Sequence, residues 1–542
     1  MATRLPSRSL LRAQPRSGHP LVCGVAASRF WVFDRDLSLA KHHAQWLCRL
    51  GQGSGSGVQI RQVLNALPVA VVALALVLSA CATTPLQGWG HSPAAAQKYR
   101  DGPDFTKANA ELVQWLADYL RTDTTNPPGN ETRGAEFLAA ILAQEGIASQ
   151  ILEFAPGRGS LVARLRGSGA QPSLCLLSHI DVVTANAKLW PPDRGPLSGA
   201  LHEGYLWGRG ALDMKSMGIL ELATLVWLKR LKVPLSRDIV LVAVADEEVD
   251  NRGMKLLTAD HWDKLGCSHF INEGGMGVRG ALQPEQTVFA ISVAEKGLLW
   301  LKMTAHGKSG HGSTPMPDRA PDRLLNALEK LRNRVPAATI HPALYATLAA
   351  VGAHGGGVQG YVMQRPTLVD WLALGTLMDE PGTRAMLTNT VAITGFLGAE
   401  QPNVVPDQVS AQLDCRLLPG VEPRAFLYEL QKAVEDSTIT WQVLHEAPAS
   451  ESPRDDPLFL ALGRHAVAGR TDAVAGPLLS VGFTDSLWAR VKGARAYGFV
   501  PIEVPREVAE TFHGANERVP VAALQRGFAV LYNAVLDVAA GP

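Results

Sequence analysis

Seven residues in this chain are of the types that hold divalent metal ions, and they stand where a folded sheet would gather them. His179 and Asp181 close the apolar run "LLSHIDVV", Glu247 and Glu248 close "IVLVAVADEE", and Glu273 closes "HFINEGG". Asp213 lies in the Gly-rich stretch "WGRGALDMKS", and His513 in "TFHGANERV" near the C-terminus. Continuous apolar runs read as strands buried on both faces, and open α/β sheets bind ligands beyond the carboxyl ends of their strands. Imidazole nitrogens and carboxylate oxygens without thiols are the donor mix for Zn²⁺ in a hydrolytic site. Two histidines and several carboxylates exceed the three protein ligands of one catalytic zinc, so the count suits two metals, about 3.5–4 Å apart across a bridging carboxylate.

Each signal alone is weak. A single His at a strand end usually serves as a hydrogen-bonded structural residue, and a Glu pair is usually a solvated turn. Adjacent Glu247 and Glu248 would point to opposite sides of a strand, which disfavours a glycosidase acid/base pair but leaves room for one ligand and one base. The recurrence at several strand ends carries the metal reading.

The elements that must position these residues follow from periodicity. "ANAELVQWLADYLR" has apolar residues at helical spacing. "SLCLLSH" (173–179), "DIVLVAVADEE" (238–248) and "HFINEGG" (269–275) read as buried strands, with a long apolar-faced helix, "MKSMGILELATLVWLKRL", between the first two. Strand–helix–strand alternation predicts an α/β fold with a mixed, mostly parallel sheet flanked by helices. The texture changes near Glu295. "GLLWLKMTAHG", "QVSAQLDCRLL" and "STITWQVLHEA" alternate polar and apolar, with the amphipathic helix "APDRLLNALEKLRN" among them. These predict an inserted, smaller α+β domain at about 294–448, dividing a catalytic domain into 105–293 and 449–542.

The motifs "SHIDVV", "GRGALDMK", "DEEVDNRG", "NEGG" and "FHGANE" together resemble, in order and spacing, the aminoacylase and carboxypeptidase family of dinuclear zinc amidohydrolases. That family includes acetylornithine deacetylase, succinyl-diaminopimelate desuccinylase and the Gly-X carboxypeptidases. The resemblance runs over roughly residues 106–540 and looks closest to the Gly-X carboxypeptidase and secreted N-acyl-amino-acid hydrolase branch. It implies a zinc exopeptidase-like fold whose inserted domain is a lid and a homodimer contact. It also implies two Zn²⁺ per subunit (Co²⁺ or Mn²⁺ as substitutes), and small peptides or N-acyl amino acids as substrates.

By the same resemblance Asp213 bridges both metals. His179 and Glu273 complete one site, and Glu248 and His513 the other. Asp181 would orient the metal-bound imidazole. Glu247 would be the general base, taking a proton from a metal-bridging water and delivering it to the leaving amine. "KSGHGSTP" makes His311 a candidate oxyanion donor, supplied from a dimer partner. Asn403 and Arg416 match substrate-binding positions, Arg416 as a carboxylate clamp. "GFTDSLWAR" resembles a pocket loop, without a role for Thr484 or Asp485. Two departures stand out: Thr184 where the family often has Pro, and "ADEEVDNRG" in place of a commoner Gly-containing loop.

Rival chemistries fail on spacing. Gly307, Lys308 and Ser309 mimic the end of a P-loop, but Lys302 stands where its first Gly is required. GxSxG fails at His311. A formal net charge of +1 over 542 residues, without a long basic run, excludes a broad nucleic-acid surface. The remaining rival is a binding or scaffold protein of this fold that has lost its metals, and every ligand position being filled argues against it.

The N-terminus carries a separate signal. Residues 66–80, "ALPVAVVALALVLSA", have the length of a signal-peptide apolar region, and "LSAC" ending at Cys81 resembles a bacterial lipobox. The expectation is a lipoprotein-type signal segment at 58–81, a Pro/Gly/Ala-rich tether at 82–104, and an enzyme lipid-anchored in the cell envelope facing the periplasm. An N-terminal membrane anchor is the alternative. Residues 1–57 read as an upstream extension or a mis-assigned start. The six cysteines (23, 48, 81, 175, 267 and 415) are irregularly spaced with no CxxC pair, which gives no ground for a thiolate zinc site or a disulfide scaffold.

Overall fold

The computed structural model describes residues 89–398 and 401–541. The signal segment, the lipobox cysteine and everything before them lie outside these residues. Among the described residues no helix is long and apolar enough to cross a membrane.

Of the elements that frame the site, helix α1 (Phe105–Arg121) comes first, and β1 (Ser149–Ala155), β2 (Arg158–Leu165) and β3 (Ser173–His179) lie after it. Helix α2 (Lys215–Arg230), β4 (Ile239–Val244), α3 (Arg252–Asp260), β5 (Cys267–Arg279) and β6 (Thr287–Glu295) follow. A second sheet uses β7 (Gly297–His306), β8 (Thr390–Leu397), β9 (Gln408–Leu417) and β10 (Ile439–Ala447), with helices α4 (Ala320–Arg332), α5 (Pro342–Gly355) and α6 (Pro423–Val434). The chain then returns through β11 (Ser450–Glu451), α7 (Pro457–Ala466), β12 (Ala473–Ser480), α8 (Ser486–Val491), β13 (Arg495–Pro505) and α9 (Val521–Ala539).

The large sheet has nine strands in the order β11-β6-β13-β5-β3-β4-β2-β1, with β12 also paired to β6. Its centre, β13-β5-β3-β4, is parallel, and the outer pairs β1–β2 and β2–β4 are antiparallel. Strands β3 and β4 are buried at every position, as their unbroken apolar runs require when helices cover both faces. Helix α2 is buried from Lys215 to Leu228. The buried Lys215 ammonium reaches the C-terminal end of α1, where Nζ donates to the carbonyls of Tyr119 (3.0 Å) and Thr122 (2.7 Å).

The second sheet is antiparallel, ordered β8-β9-β7-β10. Period-two alternation sends Leu299, Leu301, Met303 and Ala305 of β7 into a core with Leu324 and Leu328 of α4 and Phe426 and Leu430 of α6. The opposite face puts Leu298 and Trp300 against Leu487 and Phe483 of the first domain. Helix α5 lies instead on the large sheet, where the Thr347 hydroxyl donates to Pro477 O of β12 at 2.6 Å.

Two features differ from the sequence reading. From Trp89 onward the presumed tether is docked. Trp89 packs on Phe459 at 5.6 Å between ring centroids, and Ser92 and Arg100 both donate to Asp537 of α9. Cys175 and Cys267 form a disulfide, Cα atoms 5.7 Å apart, joining β3 to β5. The pair is separated by 92 residues, so only strand register could have revealed it.

Close strand approach also serves the ligand-bearing end of the sheet. Gly498 of β13 faces Asn272 of β5, and a Cβ on Gly498 would lie 2.1 Å from the Glu273 carbonyl oxygen. Gly498→Ala must push the two strands apart at Glu273. Denaturant unfolding is expected to show a loss of about 1–3 kcal/mol, and unchanged stability would refute the contact.

Candidate metal centre

The carboxyl ends of the central strands and two loops converge as the sequence pattern requires. His179 ends β3, Glu247 and Glu248 follow β4, and Glu273 sits where β5 bends. Asp213 precedes α2, and His513 comes from the loop before α9. Two donor sets form, His179–Asp213–Glu273 and Asp213–Glu248–His513, with the ligand atoms of each set all within 4.8 Å of one another. Asp213 belongs to both. Its Oδ1 lies 3.0 Å from His179 Nε2 and its Oδ2 lies 2.7 Å from His513 Nε2. Glu273 Oε1 is 3.8 Å from His179 Nε2, and Glu248 Oε2 is 3.4 Å from His513 Nε2.

The residues fit metal ions by three independent tests. A cavity of about 420 Å³ is lined by Asp213, Glu247, Glu248, Glu273 and His513, with no lysine or arginine among its lining residues. Buried anions at this density require cations. Glu248 Oε1 is buried with no hydrogen-bond partner. The tautomer of His179 is fixed: its Nδ1–H donates to the main-chain carbonyl of Asp181 at 2.8 Å, and a carbonyl can only accept. That leaves Nε2 for a ligand.

Electrostatics follow from burial and crowding. Burial pushes the Glu247 carboxyl well above the usual range, and Glu273 adds to it. Burial and then Asp213 do the same to Glu273. Burial lowers the His179 imidazole, but hydrogen bonding to Asp213 and the nearby Glu273 outweigh it, so the net shift is well upward. Hydrogen bonds to Asp213 and Glu248 raise His513 to about 10.

Asp181 meets His179 Nδ1 through its main-chain carbonyl at 2.8 Å. Its carboxylate is 3.7 Å from His179 Nδ1, and the short contact comes from its main chain. The carboxylate instead accepts the main-chain N–H groups of Glu247 and Glu248, each at 3.1 Å, and the Asn126 side-chain amide at 2.8 Å. It holds the Glu–Glu turn. Burial raises its carboxyl to about 6, opposed by the His179 charge.

His311 and Asn403 come together on a short two-stranded ladder. His311 pairs with Val404, and the Gly312 N–H donates to Asn403 O at 2.8 Å. Both residues are exposed, and among the described residues neither has a hydrogen bond or ion pair to the metal-donor sets. Arg416 does reach the rim. Its guanidinium stands 5.5 Å from the centroid of the Phe483 ring that lines the cavity, with its fork held by Asp414 at 2.7 and 3.0 Å. Thr484 lines the cavity and donates to Glu295 at 2.6 Å. Asp485 is buried, its carboxyl pushed up to about 7 by burial.

Arg209 and Glu517 were missed, although both lie inside quoted motifs. Glu517 Oε1 accepts the N–H groups of Leu212 (2.7 Å) and Asp213 (3.1 Å). Its Oε2 accepts Arg209 Nη1 at 2.5 Å, and Arg209 Nη2 donates to the carbonyls of His513 and Gly514. One buried ion pair thus ties the Asp213 loop to the His513 loop. The available signal was an Arg between two glycines and a Glu four residues past His513.

Three comparisons bear on this architecture. The model of peptidase family M20/M25/M40 matches residues 175–537. The Xenopus tropicalis protein "N-fatty-acyl-amino acid synthase/hydrolase PM20D1" is 25% identical over 476 residues, covering 84% of this chain and 90% of that protein. "Aminoacylase-1B" of Rattus norvegicus is 27% identical over 458 residues, covering 81% and 98%. Among solved structures, the M20 family metallo-carboxypeptidase Sso-CP2 of Sulfolobus solfataricus shares the fold with a TM-score of 0.60 at 17% identity, over 79% of this chain and 99% of that one. Human carnosine dipeptidase 1 does so with a TM-score of 0.57 at 15% identity, over 83% and 99%.

Because metal ligands must be deprotonated, loading the two donor sets must displace the protons on His179 and His513. Calorimetric zinc titration at pH 7 in buffers of different ionisation enthalpy is expected to report release of about two protons. With both imidazoles shifted upward, apparent zinc affinity must fall as pH drops and rise as pH climbs toward 10. No proton release, or affinity independent of pH, would contradict the assignment of the two histidines as ligands.

Proposed function

The chain belongs to peptidase family M20/M25/M40, and from that premise we propose that it hydrolyses the amide bond of short peptides or N-acyl amino acids next to a free carboxylate, with Glu247 as general base. The observation that carries the reading is the Asp213 carboxylate, shared between two imidazoles that each belong to a separate donor set. His179, Asp213 and Glu273 would hold one zinc, and Asp213, Glu248 and His513 the other. Zinc held there supplies Lewis acidity, polarising a scissile carbonyl and acidifying a water.

The chain's own residues supply the rest. Glu247 lines the cavity and belongs to neither donor set, so its carboxylate is free to accept the proton of the attacking water and return it to the leaving amine. Leu212, Met276, Phe483, Val500 and Phe512 form apolar walls around the acidic floor. They favour an apolar acyl group or side chain beside the scissile bond over a charged one. Arg416 above Phe483 is the candidate for the substrate carboxylate, which would exchange with Asp414 for the guanidinium fork. Exposed His311 and Asn403 suit a role toward a second subunit, with the second-sheet domain as the dimer contact.

For location, the reading is an envelope lipoprotein anchored at Cys81. The apolar run before "LSAC" supports it, as does the Cys175–Cys267 disulfide, which suits an oxidising compartment. Intact mass of the native protein should give a chain starting at a diacylglyceryl Cys81, with Cys175 and Cys267 linked in non-reducing peptide maps. An unmodified N-terminus with both cysteines free would overturn this location.

The activity is tested by mass-spectrometric product analysis of the zinc-loaded protein with mixed dipeptides and N-acyl amino acids. Free amino acids should appear, drawn mainly from substrates with apolar groups. Glu247→Gln should keep its zinc and lose about 10²-fold or more in kcat. Full activity in that variant would remove Glu247 from its role, and the absence of both zinc binding and turnover would favour a scaffold protein.

A further inference from the structure

Asn251 ends the turn that follows the Glu pair, just before α3. Its backbone has a φ of +51°, the left-handed region in which Gly is the default residue. It is also the N-cap of α3, a position where Asn ordinarily turns its side chain onto the first free N–H groups of the helix. Here no side-chain cap bond forms. The side chain is 3% exposed and faces the acidic cluster. Its Nδ2 donates to Asp485 Oδ1 at 3.1 Å and approaches Glu247 Oε1 at 3.4 Å.

A primary amide carries two N–H donors on one nitrogen. Nδ2 can therefore serve both carboxyl groups at once, and it is neutral, so it adds no charge to the cavity. Its main chain is anchored independently of the metal donors, since the Asn251 N–H donates to Asp246 O at 2.6 Å. At Gly253, two residues on, a Cβ would meet the Ala245 carbonyl at 2.4 Å, so the start of α3 is pressed against the end of β4. The donor is thus fixed to the same strand end that carries Glu247.

We propose that Asn251 is a positioning residue for Glu247: its amide spans Glu247 and Asp485 and holds the Glu247 carboxylate facing the cavity. The inference rests on the reading of Glu247 as the proton carrier. A side chain withdrawn from capping, buried, and aimed at two carboxyl groups has no other partner that explains its orientation.

The test uses the zinc-loaded full chain with Asn251→Gly, Asn251→Asp and Glu247→Gln in parallel. Glycine accepts the left-handed backbone, so Asn251→Gly removes the amide without straining the turn. Loss of orienting hydrogen bonds around a metal site typically costs 10–100-fold in activity. Asn251→Gly and Asn251→Asp are therefore expected to lower kcat by about 10–100-fold, with KM within about two-fold of wild type. Zinc content by metal analysis and the thermal midpoint should stay at wild-type values. Wild-type kcat in Asn251→Gly and Asn251→Asp, with Glu247→Gln inactive, would overturn the positioning role alone. Loss of zinc in step with activity would overturn it too, making Asn251 a structural support. Wild-type turnover in Glu247→Gln would remove the base and this inference with it.

Discussion

The site depends on one carboxylate doing two jobs. Asp213 presents one oxygen to His179 and the other to His513, and those histidines are far apart in the sequence. Neither donor set is complete without it. The carboxylate is held by the structure behind it: Glu517 accepts its main-chain N–H, and Arg209, paired with Glu517, grips the carbonyl of His513. Removing either charge of that pair would leave its partner buried alone, a cost of about 3–5 kcal/mol. The Arg209–Glu517 pair therefore fixes the separation of the two histidines.

Around Asp213 the chain concentrates anions that repel one another. Burial and mutual charge raise Glu247 and Glu273, and no lysine or arginine lines the cavity. The structure tolerates this by supplying neutral donors. Asn126 sits between the Asp181 and Asp246 carboxylates, at 2.8 and 3.0 Å. Main-chain N–H groups of Glu247 and Glu248 bind Asp181. Behind Asp246, Arg158 pairs with both Asp246 and Glu131. The Arg158 guanidinium thus stands one layer out from the cavity, where it orients Asp246 without pairing with the acids that face the cavity.

Much of this was legible in the sequence, and the reasons differ by residue. The strands ending at His179 and near Glu247 were readable because both faces are covered, which forces unbroken apolar runs. The second sheet was readable from the polar–apolar alternation of β9 and β10 and of the second half of β7. What escaped were partnerships between distant positions. Asp181 could be placed beside His179, but not whether its carboxylate or its carbonyl would meet the ring; a residue two positions along can offer either. Arg209 and Glu517 were quoted within motifs, yet the bond between them joins residues 308 apart in sequence. The same holds for Cys175 and Cys267, and for α5, whose apolar residues do not say which of two sheets they will cover.

The two donor sets are unequal in a way that bears on how the site works. The His179 side chain is 1% exposed and Glu273 13%, whereas His513 is 49% exposed. His513 also lies in a loop with a φ of +57° at its own position, its ring stacked on half-exposed Phe512 at 5.0 Å. The inner set is built on β3 and β5, which the Cys175–Cys267 disulfide also joins. The outer set adds to Asp213 one residue from the Glu–Glu turn and one from an open loop. Rigidity is therefore graded across the centre, from a strand-borne inner set to a loop-borne outer one. Phe512 and His513 are the exposed part of the cavity lining, with Phe483 also on its wall and the Arg416 guanidinium 5.5 Å from that ring. Glu247 lies on the floor of that same cavity, within reach of what enters and held by a turn that Asp181 fixes from behind.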